Sequence, residues 1–134
     1  MSGTVYLVDD DAVFRESLEQ SFELADMEVQ SFAQPHSILG NINEDTVGVV
    51  VTDVRMPKLT GEQLLARLSE IDADMPVILL TGHGDVPMAV RSLQAGAFAF
   101  YEKPVYAIAL IKVCSSPLSS RRSTYTPRYW SMAR

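Results

Sequence analysis

Apolar residues along this chain fall into short unbroken runs that alternate with longer stretches of helical spacing. Thr4-Val5-Tyr6-Leu7-Val8 is rich in β-formers and ends abruptly in Asp9-Asp10-Asp11, which predicts a buried strand meeting a polar mouth. Phe14, Leu18, Phe22 and Ala25 then recur at helical spacing with Arg15, Glu16, Glu19 and Glu23 between them, predicting an amphipathic helix over about residues 12–25. Glu28-Val29-Gln30-Ser31-Phe32 alternates like a half-exposed edge strand, and Pro35 opens a weak helix toward Ile42. Val47 to Val51 is a continuous apolar run, as in a parallel strand covered on both faces, and it delivers Asp53 just before the Met56-Pro57 stop. Leu64, Leu65, Leu68 and Ile71 mark another amphipathic helix, and Pro76 to Thr81 a further buried strand. Gly82-His83-Gly84-Asp85 reads as a turn, Pro87 to Ala95 as a helix closed by Gly96, and Ala97 to Tyr101 as a last short strand before Glu102-Lys103-Pro104.

Strands alternating with helices in this way predict an α/β fold, a flavodoxin-like doubly wound sandwich around a five-stranded parallel sheet in the order 2-1-3-4-5. Such sheets bind ligands outside the carboxyl ends of their strands. Those ends carry Asp9 and Asp10, Asp53, Thr81 and Lys103. The pattern weakens after Val105. Ala107 to Val113 is apolar enough to begin a fifth helix, but Ser115-Ser116-Pro117 is expected to interrupt it after about two turns. The chain therefore divides into a domain over residues 1–106 and an atypical segment over 107–134, a short helix followed by disordered chain rich in Ser, Thr, Tyr and Arg.

Composition narrows the classes of function. The 134 residues suit one domain with one core. No apolar run approaches a membrane span, and Met1-Ser2-Gly3-Thr4 passes directly into a strand without a leader, so a cytoplasmic protein with no membrane partner is expected. A single cysteine, Cys114, excludes an internal disulfide, and no Cys or His pair stands at zinc-ligand spacing. All 17 acidic residues precede Cys114, whereas Arg121, Arg122, Arg128 and Arg134 are the only charges after it. An acidic body repels a phosphate backbone, so no direct nucleic-acid binding is expected, and a divalent cation suits it better.

Three carboxylates converging at one crevice with no cation would repel one another strongly, whereas Mg²⁺ is held by one or two carboxylates with carbonyl and water oxygens. A phosphoryl group approaching Asp53 would meet that ion, the Lys103 ammonium and the Thr81 hydroxyl, with Asp53 as the nucleophile that forms an acyl phosphate. Any one of these residues alone carries little weight, since roughly half of lone Asp residues at a strand end simply cap the next helix or turn. Asp11 reads as an N-cap rather than a ligand, His36 and His83 as loop residues, and Met56 and Met88 as packing.

Val8-Asp9-Asp10, Val51-Thr52-Asp53-Val54-Arg55-Met56-Pro57, Leu79-Leu80-Thr81-Gly82 and Glu102-Lys103-Pro104 together resemble, in order and spacing, the receiver domain of two-component response regulators over about residues 4–105. Thr81 to Val90 is similar to receivers of sigma-54-dependent activators of the dicarboxylate-transport and nitrogen-regulation type, and also to nitrogen-fixation regulators with a helix-turn-helix output. The resemblance implies Asp53 as the acceptor of a phosphoryl group from a sensor histidine kinase, with an output that regulates transcription. It implies Asp10 binding Mg²⁺ directly and Asp9 through water, with Asp53 and the Arg55 backbone carbonyl completing the protein ligands. Thr81 and Lys103 would contact the phosphoryl oxygens, Phe100 would be the switch aromatic, and the Lys103-Pro104 bond would be cis. Such a domain is no enzyme beyond catalysing its own phosphorylation and dephosphorylation. A second reading is a haloacid-dehalogenase-like phosphatase with Asp9 as nucleophile, but such enzymes need an acidic pair after the Lys, and no Asp or Glu follows Glu102.

The change of composition near Tyr106 predicts that the receiver pattern stops there. A fifth helix cut short would leave apolar surface on the last strand exposed, which admits a homodimer, with terminal elements exchanged. No output domain, neither nucleotide-hydrolysing nor DNA-binding, is expected within these 134 residues.

Overall fold

The computed structural model describes residues 3–82 and 84–120. Their order is β1 (Thr4–Val8), α1 (Ala12–Leu24), β2 (Glu28–Phe32), α2 (Pro35–Leu39), β3 (Gly48–Asp53), α3 (Gly61–Ile71), β4 (Val77–Thr81), α4 (Val86–Gln94), β5 (Ala99–Glu102) and α5 (Ala107–Ser120). The five strands form one parallel sheet in the order β2-β1-β3-β4-β5, with adjacent strands hydrogen-bonded. This is the expected flavodoxin-like α/β topology.

Continuous apolar strands follow from covering both faces, because successive side chains point to opposite sides. Val49, Val51, Ile78 and Leu80 pack with Leu18 and Phe22 of α1 and with Leu110, Val113 and Cys114 of α5. Val50, Leu79 and Val8 pack on the other side with Ile38 of α2, Leu64, Leu65 and Leu68 of α3 and Ala89 of α4. Met56 is buried in this second core and Met88 packs against it, as their reading as packing residues expects.

Local chemistry sets the element ends. Asp11 caps α1, its carboxylate accepting from the Phe14 N–H at 3.2 Å. Thr60 and Gln63 form a capping box that starts α3, with bonds of 3.1 and 2.9 Å. Gly96, at φ +114°, turns the chain out of α4 in a conformation that favours glycine.

The C-terminal helix departs from expectation. It runs 14 residues, through Ser115-Ser116-Pro117, rather than stopping after two turns. Proline in a helix interior removes one backbone hydrogen bond, but Leu110, Val113 and Cys114 are fully buried against the sheet and α1, and that packing holds the helix in place. The sheet face thought to be exposed is therefore covered, which removes the ground given for exchange of terminal elements. His36 lies in α2, exposed, rather than in a loop. His83 and the expected disorder beyond residue 120 lie outside the described residues. Among those described, no helix is long and apolar enough to cross a membrane.

Candidate functional site

Parallel register brings the strand ends to one level. Val8 pairs with Thr52, Asp53 with Leu80 and Thr81 with Glu102, so Asp9, Asp53, Thr81 and Lys103 emerge side by side at the carboxyl edge. Backbone bonds extend the ladders past the strands: Val54 N–H donates to the Leu80 carbonyl at 2.9 Å and Lys103 N–H to the Thr81 carbonyl at 2.8 Å. The Lys103-Pro104 peptide is cis. The turn after β3 is folded tightly, with Gly61 N–H donating to the Val54 carbonyl at 2.7 Å and Lys58 at φ +74°.

Lys103 joins the two inner carboxylates. Its Nζ donates to Asp9 Oδ2 at 3.0 Å and to Asp53 Oδ2 at 3.3 Å. Asp9 is fully buried, and its other oxygen accepts from the Asp11 N–H at 2.9 Å. Asp53 is more open, its side chain 14% exposed, and Oδ1 receives only a long bond from the Arg55 N–H at 3.4 Å. Asp10 is exposed at the rim. Thr81 is buried, with its hydroxyl donating to the Gly82 carbonyl at 3.2 Å. Phe100, half-buried on β5, packs against the core that holds α4.

The charges of this crevice are mutually dependent. Burial pushes the Asp53 carboxyl pKa above the ordinary value; the Lys103 charge pulls it down, but the Asp9 charge adds to the rise and the net shift is upward. Burial also works against the Lys103 ammonium, but the hydrogen bond to Asp9 and the charges of Asp53 and Asp9 outweigh it and leave the lysine above its usual range. One carboxylate oxygen each from Asp9, Asp10 and Asp53 lie within 4.8 Å of one another. Hard oxygen donors at that separation fit a small divalent cation such as Mg²⁺.

Three contacts at this site escaped sequence reasoning. Arg55 reaches across the rim to Asp85, with Nη2 2.6 Å from Oδ1. Arg15 donates to the Asp9 backbone carbonyl at 2.6 Å, and the Phe14 ring lies 4.3 Å from Lys103 Nζ. Phe14 and Arg15 read simply as the apolar and polar positions of α1, and no spacing rule ties them to a lysine or a strand end some ninety residues or a loop away.

A response regulator receiver domain model matches residues 5–115. The chain is 40% identical over 119 residues to the C4-dicarboxylate transport transcriptional regulatory protein DctD of Rhizobium meliloti, covering 89% of this chain and 26% of that protein. It is 41% identical over 102 residues to the transcriptional regulatory protein FixJ of Bradyrhizobium diazoefficiens, covering 76% of this chain and 50% of that one. The chain thus spans a quarter to a half of the length of these relatives. A receiver domain protein from Clostridium thermocellum superposes with a TM-score of 0.83 at 29% identity, over 90% of this chain and 98% of that one. These likenesses do not favour the phosphatase reading, and neither does the geometry: both Asp9 oxygens are engaged in a fully buried position, whereas Asp53 is partly open.

Proposed function

The chain belongs to the response regulator receiver domain family, and from that premise we propose that Asp53 accepts a phosphoryl group from the phosphohistidine of a sensor kinase. The single observation that carries this reading is the Asp53 carboxylate itself, partly open at the strand edge and held at 3.3 Å by Lys103. In the step, an Asp53 oxygen attacks phosphorus, the P–N bond to the kinase histidine breaks and its electron pair stays on the imidazole, which takes up a proton. The product is an aspartyl acyl phosphate. Water attack on that phosphorus returns the carboxylate and inorganic phosphate, so the chemistry is confined to the chain's own phosphorylation and dephosphorylation.

Each neighbour answers a separate electrostatic need. Asp9, Asp10, Asp53 and the Arg55 backbone carbonyl would hold Mg²⁺, which supplies charge to screen the carboxylates and the incoming phosphoryl oxygens. Lys103 stands ready as an ammonium, which the hydrogen bond to Asp9 and the charges of Asp53 and Asp9 keep protonated against the opposing effect of burial. Thr81 would exchange its bond to the Gly82 carbonyl for one to a phosphoryl oxygen, and Phe100 would follow inward, biasing the α4 and β5 face between two states. The relatives are transcriptional regulators, so the output proposed for this receiver is control of transcription from the cytoplasm, exerted through an attached or partner module rather than by nucleic-acid contact from this acidic domain.

Incubation of the chain with acetyl phosphate and Mg²⁺, followed by intact-mass measurement, tests the reading. Wild type should gain one phosphoryl mass and Asp53→Asn none. Label retained in Asp53→Asn but lost in Asp9→Asn would overturn it in favour of the phosphatase chemistry.

A further inference from the structure

The first turn of α1 closes a circuit around the acidic crevice. Asp11 N–H donates to Asp9 Oδ1 at 2.9 Å, and the Asp11 carboxylate accepts from Phe14 N–H at 3.2 Å. The Phe14 ring lies 4.3 Å from Lys103 Nζ, and Lys103 returns to Asp9 Oδ2 at 3.0 Å. Arg15, on the same turn, ties the helix to the Asp9 backbone carbonyl at 2.6 Å. A helix cap, a ring, a lysine and a buried aspartate are thus linked end to end.

We propose that Phe14 is a positioning residue for Lys103, holding its ammonium between Asp9 and Asp53 where a phosphoryl group on Asp53 would meet it. The inference rests on Asp53 being the phosphoacceptor. A lysine carries its charge on a flexible four-carbon stem, so its place must be imposed from outside. Two carboxylates draw it inward, and the face of an aromatic ring attracts a cation from a third direction through its quadrupole. The choice of a ring matters. A third carboxylate would compete with phosphoryl oxygens for the ammonium donors, whereas a ring holds the charge without claiming a strong hydrogen bond. Asp11 in turn fixes where the ring stands, because its cap sets the backbone of Phe14. Phe14 is only half-buried, at the margin of the core shared by α1 and α5, so its place over the lysine is not dictated by core filling alone.

The full chain carries the test. In wild type the Lys103 side-chain resonances should be displaced upfield by the ring current of Phe14. Phe14→Leu keeps apolar volume and should lose that displacement, and with acetyl phosphate and Mg²⁺ it should label Asp53 roughly three- to tenfold more slowly, the range for a partly desolvated cation–π contact. Phe14→Tyr, which keeps the ring, should retain both the displacement and the rate. Absence of the displacement in wild type overturns the proposal, as does a Tyr variant that falls as far as the Leu variant, since that would mark a merely structural role. Wild type labelled at Asp53 together with a Leu variant labelled equally fast overturns this inference alone. Wild type that takes no label at Asp53 overturns the phosphoacceptor reading and this inference with it.

Discussion

Arg55 grips Asp85 across the outer rim of the crevice, its Nε 3.1 and 3.3 Å from the two carboxylate oxygens and its Nη2 2.6 Å from one of them. Asp85 occupies the N-cap position of α4 yet makes no side-chain bond to that helix, so the arginine has drawn its carboxylate away from capping. The hydrogen bond from Arg55 holds the Asp85 pKa below the usual carboxylate value. A lowered folded-state pKa stabilises above the unfolded pKa and ceases to do so as pH falls through the folded one. The Arg55 side chain is 68% exposed, and exposed pairs are weakened by solvent and salt. Asp85→Asn should therefore lower the urea midpoint only slightly at neutral pH, by less than any buried-core truncation. The gap should vanish in strong acid and shrink as salt approaches about 1 M.

Asp53 behaves in the opposite sense. Its pKa is raised, chiefly by burial, so between the unfolded and folded values the native state binds more protons and stability falls as pH rises. Asp53→Asn should be more stable than wild type at neutral pH, with a melting midpoint higher by a few degrees. The two should converge in acid, where wild-type Asp53 is neutral in both states. Thermal melts across pH decide it, and an Asn variant less stable than wild type at neutral pH would show that the Lys103 pair outweighs burial.

Gly61 is required for a different reason. A Cβ there would stand 2.7 Å from the Asp53 carbonyl oxygen and 3.0 Å from the Val54 Cα, both backbone atoms that cannot swing aside. Gly61→Ala should cost about 1–3 kcal/mol, as overpacking does, and it should slow labelling of Asp53 because the clash falls on that residue's own peptide. Chemical denaturation and phosphorylation rates on the same variant would check both effects.

Much of this was legible in the sequence, and the reason is physical. A parallel sheet buries both faces of its strands, so Val49-Val50-Val51 and Ile78-Leu79-Leu80 read as unbroken apolar runs whose ends must be the mouth of the fold. Asp9, Asp10, Asp53, Thr81 and Lys103 were visible because each follows such a run. The Phe14–Lys103 and Arg55–Asp85 contacts were hidden because they join side chains from segments far apart in sequence, a helix turn to a strand end and one loop to another, which no periodicity encodes. Pro117 misled for another reason. A proline's local cost is fixed, but whether a helix survives it depends on what the rest of that helix buries, and tertiary packing is not written locally.

That packing makes α5 testable. Leu110 is fully buried against the sheet, whereas Ile108, two residues earlier, is 65% exposed. Leu110→Ala should destabilise the domain by about 2–5 kcal/mol, and Ile108→Ala should leave the midpoint nearly unchanged. Equal, small losses at both positions would mean that α5 does not cover the sheet as described.

Cys114 reports on the same helix from the inside. It is fully buried, and burial pushes its thiol pKa far above the ordinary value. Only the thiolate reacts readily with disulfide reagents, so both access and ionisation protect it in the folded state. The native chain should therefore react with an aromatic disulfide such as dithionitrobenzoate far more slowly than the urea-unfolded chain. Because labelling requires an opening that exposes α5, its rate should rise in Leu110→Ala and stay near wild type in Ile108→Ala. Rapid labelling of the native wild type would place the C-terminal helix off the sheet, and with it the cover over Val49, Val51, Ile78 and Leu80.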